Sequence, residues 1–86
     1  MKPIKKLFKV GEVMEYSGLS RQVIHYYTQL ELIKESKWTK SGHRLYDENV
    51  FNRLEKIKRL RTKGKTLLEI KKIINSKHPI NITARG

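Results

Sequence analysis

The sequence predicts a mainly α-helical domain, four helices with one small β-hairpin between the second and the third. Three observations predict it. Apolar residues recur at helical spacing in four separate stretches. That period fails only between about Leu32 and Tyr46. Helix start and stop residues, Ser20, Asp47 and Thr66 against Gly18 and Gly64, stand at the edges of the periodic stretches.

The first helix runs from roughly Lys9 to Tyr16, with Val10, Val13 and Met14 on one face. Gly18 stops it. The second starts at Ser20, a good N-cap, and its buried stripe is Val23, Ile24, Tyr27 and Leu30. Only Gly18 and Leu19 separate the two helices, which is the helix-turn-helix pattern. Leu32-Ile33-Lys34 and Arg44-Leu45-Tyr46 read as short strands around the Ser41-Gly42 turn signal. A lone hairpin is marginal in water, so this one must lean on the helices as a wing does. The third helix begins at Asp47 as N-cap and carries Val50, Phe51, Leu54, Ile57 and Leu60 to the stop at Gly64. The fourth opens on Thr66-Leu67-Leu68-Glu69, a capping box, and buries Leu67, Ile70, Ile73 and Ile74. Together the elements make a winged helix-turn-helix. Residues 1–6 read as a basic arm, residues 7–75 as the domain, and residues 76–86 as a flexible tail.

Composition bounds the chemistry. The chain has 86 residues, room for one small domain. It has no Cys, which excludes disulfides, thiolate metal sites, iron–sulfur clusters and thiol catalysis. His25, His43 and His78 do not form a ligand spacing, so no metal and no cofactor are expected. No nucleophile–base pairing and no Gly-rich phosphate loop stand out, and an enzyme is not expected. No apolar run approaches the ~20 residues of a membrane span, and Met1 to Val10 lacks the apolar stretch of a secretory signal.

The charge is the functional signal. Lys and Arg number 20 against 8 Asp and Glu, a net +12 that points to a polyanion, nucleic acid being the commonest. Lys2, Lys5, Lys6 and Lys9 open the chain without an acid among them. Residues 53–72 hold nine cations against Glu55 and Glu69, whereas residues 10–33 are close to neutral.

Several motifs, in order, resemble the DNA-binding domain of the MerR family. They are Phe8-Lys9-Val10-Gly11-Glu12-Val13, Gly18-Leu19-Ser20, His25-Tyr26-Tyr27, Leu32-Ile33 and Ser41-Gly42-His43-Arg44-Leu45-Tyr46. Ile57-Lys58-Arg59-Leu60-Arg61, with Gly64 and Leu68-Glu69-Ile70 after it, continues the likeness. The resemblance covers roughly residues 7–75. It departs at Gln22, where the family usually has a basic residue, at His25, where it usually has Arg, and at Thr28, where an acid is common. Arg21 supplies a cation where the family is often apolar. The family's long coiled-coil helix and effector domain have no room after Pro79, and the missing Cys removes the thiolates of its metal sensors. The chain is therefore expected to be either an excised DNA-binding domain or a short form that is little more than that fold, with no small-molecule effector.

The resemblance implies a transcription regulator that binds double-stranded DNA. Helix-turn-helix proteins put the start of the second helix in the major groove, which makes Arg21 and Gln22 the base readers. His25 neighbours phosphate or base in that reading, and Tyr26 gives its hydroxyl to phosphate. Arg44 matches the wing arginine and clamps phosphate, while Lys37 and Lys40 reach the backbone from the wing. Trp38 is expected to be partly buried under the hairpin. Arg61, Lys63 and Lys65 form a second wing, joined by free N–H groups at Thr66 to Leu68 as an anion site. One module binds weakly alone, so other copies side by side on DNA are expected partners, and RNA polymerase is a further candidate. The expected location is the cytoplasm, on the nucleoid. The alternative is an architectural or recombination accessory protein of the same winged fold, which would use the same charges with less regard for sequence.

Overall fold

A computed structural model of the chain describes residues 6–75. The tail at 76–86, and the arm at 1–6 apart from Lys6, lie outside the described residues. The elements are β1 (Phe8–Lys9), α1 (Val10–Ser17), α2 (Arg21–Gln29), β2 (Lys37–Trp38), β3 (Arg44–Tyr46), α3 (Asn49–Thr62) and α4 (Leu67–Asn75). The three strands form one antiparallel sheet in the order β1-β3-β2. Val13, Ile24, Leu32, Tyr46 and Ile70 are fully buried at its heart, with Val10, Ile33, Val50, Leu54, Ile57 and Ile74 around them.

The helix ends follow local chemistry. Gly18 takes a left-handed φ of 76°, and its N–H donates to the Met14 carbonyl at 2.8 Å. Ser20 then caps α2, its hydroxyl accepting from the Val23 N–H at 3.2 Å. The residue before α3 is Glu48, whose side chain makes no capping bond, and Asp47 acts from one position further back: its Oδ1 accepts from the Asn49 N–H at 3.0 Å and its carbonyl from the Val50 N–H. The capping box of α4 is complete. The Thr66 N–H donates to Glu69 Oε1 at 2.9 Å, and the Glu69 N–H donates to Thr66 Oγ1 at 3.1 Å.

Both α2 and α3 end in the same two-bond motif. In α3 the Lys65 N–H donates to the Leu60 carbonyl and the Gly64 N–H to the Arg61 carbonyl, with Gly64 at φ 88°. In α2 the Leu32 N–H donates to the Tyr27 carbonyl and the Glu31 N–H to the Thr28 carbonyl. There the left-handed position is Glu31, at φ 64°. A side chain at such a position is strained.

That motif overturns the expected strand at Leu32-Ile33-Lys34. The N–H groups of Leu32 and Ile33 both turn back to the Tyr27 carbonyl, and the Leu32 carbonyl accepts from Arg53 Nη1 at 3.2 Å. With those groups committed, the segment cannot ladder with β3. Its two apolar side chains go to the core instead. The wing's outer strand is β2, with Lys37 opposite Leu45 and Trp38 opposite Arg44. The turn closes through the Gly42 N–H on the Thr39 carbonyl, with Gly42 at φ 87°.

The strand β1 was not expected. It pairs Phe8 with Tyr46 and Lys9 with Leu45. Phe8, Tyr16 and Phe51 hold it down in a ring of edge-to-face contacts, with centroids 4.9 to 6.2 Å apart. Lys9 is thereby strand rather than helix, and its N–H donates to Glu12 Oε1 at 2.9 Å. Ile73, expected on the buried side of α4, is 40% exposed. At ~100° per residue it lies a quarter-turn off the stripe of Leu67, Ile70 and Ile74.

Glu31→Gly should stabilise the domain by roughly 0.5–1 kcal/mol in urea denaturation, because relief of the left-handed strain outweighs an exposed ion pair. The pair at stake is Lys71 Nζ to Glu31 Oε1, at 3.6 Å. The Thr66 N–H, then the Thr66 side chain, hold the Glu69 carboxyl below its ordinary value of 4.5. A lowered carboxyl stabilises the fold above that value and loses the contribution as pH falls beneath it. Urea midpoints measured from neutral to acid pH should therefore fall less steeply for Glu69→Gln than for the wild type.

Candidate nucleic-acid interface

The wing and α2 are joined at two points. Tyr46 is fully buried, so its hydroxyl needs a partner. It lies 2.8 Å from Thr28 Oγ1, which itself donates to the Ile24 carbonyl at 2.8 Å. Thr28 has a single proton and gives it to Ile24, so the Tyr46 hydroxyl is the donor to Thr28. The second point is two residues back on β3. Arg44 Nη1 donates to His25 Nδ1 at 2.8 Å. His25 and Thr28 are one helical turn apart on α2, and Arg44 and Tyr46 share one face of β3. Strand and helix are thus fastened like two rungs of a ladder.

Arg44 is only half exposed. Its guanidinium lies over the Trp38 ring at 4.9 Å, the two residues facing each other across the hairpin. Its Nε is buried without a hydrogen-bond partner among the described residues. Trp38 itself is 53% exposed, which corrects the expectation that it tucks under the hairpin. The core position is filled by Tyr46, and the indole is held on the outer side by Arg44 and by Glu35, whose Oε2 accepts from Trp38 Nε1 at 3.2 Å. Counting outward from Ser41-Gly42 as the two turn residues would set Trp38 opposite Leu45; the observed register is one residue off and sets it opposite Arg44. Thr28 carried no local signal of its partner on the wing.

The other expected residues stand as follows. Arg21 and Gln22 are exposed on the first turn of α2. Arg21, His25, Trp38, Arg44 and Glu12 border an open cleft of about 560 Å³ between α1, α2 and the wing. Gln22, His25, Tyr26 and Gln29 share the outward face of α2, where Tyr26 is 50% exposed. Lys37 and Lys40 are exposed on the wing. Arg61, Lys63 and Lys65 are exposed on the turn between α3 and α4. Arg61 reaches back to a hollow it shares with Ser17, Leu19 and Tyr27 beside the α1–α2 turn. Of the N–H groups expected to form an anion site at the start of α4, that of Thr66 is bonded to Glu69 Oε1, which sets a carboxylate at that helix end.

The family profile described as MerR HTH family regulatory protein matches residues 8–77. The mercuric resistance operon regulatory protein of Bacillus cereus is 39% identical over 67 residues, covering 78% of this chain and 51% of that protein. The transcriptional activator mta of Bacillus subtilis is 36% identical over 72 residues, covering 84% of this chain and 27% of that protein. The chain thus spans about half the length, or less, of the curated relatives it matches. Among solved structures, the N-terminal part of the Bacillus subtilis multidrug transporter activator superposes with a TM-score of 0.76 at 36% identity, covering 85% of this chain and 67% of that one. A MerR-family regulator from Bacillus cereus gives 0.75 at 27% identity, covering 85% and 55%. With the winged helix-turn-helix geometry, these likenesses establish that the chain belongs to the MerR family of DNA-binding transcription regulators.

Proposed function

We propose that this chain binds double-stranded DNA sequence-specifically, with α2 in the major groove and the wing and the α3–α4 turn on the flanking phosphates. The observation that carries the reading is the border of α2. Arg21, Gln22, His25 and Tyr26 line its open side, Lys37 and Lys40 stand on the wing fastened to it, and Arg61 reaches the turn that precedes it. Phosphate contacts by the lysines and Arg61 fix position, and base contacts by Arg21 and Gln22 fix sequence. Tyr26 offers its hydroxyl to a phosphate. Arg44 gives one N–H of Nη1 to His25 and has its Nε buried, so it braces the wing and meets a phosphate through the N–H groups that remain.

In this reading residues 7–75 are the DNA-binding module, residues 1–6 a basic arm and residues 76–86 a tail. The protein works in the cytoplasm on the nucleoid, with further copies beside it on DNA and RNA polymerase as the machinery it influences. Among the described residues no helix is long and apolar enough to cross a membrane.

The test is selection from random duplex DNA, followed by anisotropy titrations of selected and scrambled sites over a salt series. Selected DNA should bind at least about a thousandfold tighter than scrambled. Arg21→Ala should cost ~1–3 kcal/mol on the selected site alone, and Lys63→Ala should weaken both sites alike and flatten the salt slope. Equal binding of both sites by the wild type would instead favour an architectural protein.

A further inference from the structure

We infer that Arg44 fixes the proton of His25 on Nε2 and so makes His25 a specificity-determining residue, a donor that reads a purine N7 in the major groove. The inference rests on the proposed DNA reading, and it begins from the 2.8 Å contact between Arg44 Nη1 and His25 Nδ1. A guanidinium has five N–H donors and no acceptor. The contact therefore requires a lone pair on Nδ1. An imidazole that accepts at Nδ1 carries its one proton on Nε2. Arg44 is supported in this position from a second side. Its guanidinium is laid over Trp38 at 4.9 Å, and Trp38 is itself tethered to Glu35.

The far nitrogen has the right outlook. His25 borders the wing cleft on one side and the outward face of α2 on the other, where Gln22, Tyr26 and Gln29 stand. With Nδ1 turned to the wing, the Nε2–H points away from it, toward that open face. A single fixed donor matches the N7 acceptor of guanine or adenine; a pyrimidine in that place offers either the N4 amino group of cytosine, which is mismatched, or the O4 of thymine with the C5-methyl group crowding the approach. His25 thus adds a purine preference to the readout by Arg21 and Gln22.

Two measurements test this. Nitrogen-15 spectra of the free protein in mildly alkaline buffer should show His25 with a bare Nδ1 and a protonated Nε2, and Arg44→Ala should turn that signal into a tautomer mixture. A protonated Nδ1 in the wild type overturns the inference without any DNA present. The second uses His25→Asn, whose side-chain oxygen still accepts from Arg44 and whose shorter amide N–H groups stop short of the place where the Nε2–H stands. Selection with the wild type should recover one strongly purine position, and 7-deazapurine there should lower wild-type affinity on the order of tenfold. His25→Asn should lose that preference at that position alone and be indifferent to the 7-deaza change. If the wild type selects a site and His25→Asn selects the same one, or loses affinity for all DNA equally, His25 reads no base. If the wild type selects nothing, the DNA-regulator reading fails along with this specificity role, while the tautomer result still stands or falls on its own.

Discussion

The hydrogen-bonded run from Tyr46 through Thr28 to Ile24 is the constraint on which the rest of the surface depends. A hairpin whose strands are two and three residues long has little stability of its own. It persists because its inner strand carries a tyrosine buried in the core, and because that tyrosine's hydroxyl closes onto the second helix. Thr28 is well suited to the junction. A threonine inside a helix can return its proton to the carbonyl four residues back, and its oxygen is then free to accept. Arg44 and His25 repeat the fastening two strand residues and one helical turn away, a step of ~6–7 Å along the strand against ~4.5 Å along the helix. With two fastenings the wing has neither a free hinge nor a free register relative to α2.

The distribution of charge fits the same frame. A net +12 on 86 residues is self-repulsive, and the site cations apart from Arg44 stand exposed where water screens them. Arg44 is half-buried, and the neighbours that make this tolerable are an aromatic face and an imidazole lone pair rather than a carboxylate. Bringing DNA to the surface relieves the repulsion among the exposed lysines. The two helix ends differ in the same spirit. The turn after α3 gathers cations around Gly64, whereas the start of α4 keeps its own carboxylate in Glu69.

Most of the fold was legible in the sequence because its signals are local. Ser20, Asp47, Thr66, Gly18 and Gly64 act within four residues of themselves, and each does what its residue type suggests. The strands were harder. Phe8 and Lys9 form a strand only because Tyr46 and Leu45 lie beside them, a partnership that local pattern does not carry. Leu32 and Ile33 read as strand because the helical period fails there ahead of a turn signal, yet a glutamate in the left-handed region ends α2 and turns their N–H groups back onto it. Of the site, the cations were legible by type and by resemblance to the family. The departures from the family at His25 and Thr28 were visible as well. Their meaning was not, since each is explained by a residue on the wing. Trp38 was misjudged because a large apolar residue suggests core, while across the hairpin from it stands an arginine whose guanidinium it can support.

Wing and α2 behave as one unit through Tyr46. Amide hydrogen exchange on the wild type and Tyr46→Phe tests it most directly. The N–H groups of Ser36 and Thr39 are bonded across the wing to Leu45 and His43, and that of Leu30 closes α2 onto Tyr26, so each reports on its own element. The account predicts that removing one hydroxyl, worth about 1 kcal/mol, speeds exchange in the wing and in α2 together. The bonded N–H groups inside α3 should retain more of their protection. Faster exchange in the wing with α2 unchanged, or no change in either, would contradict it.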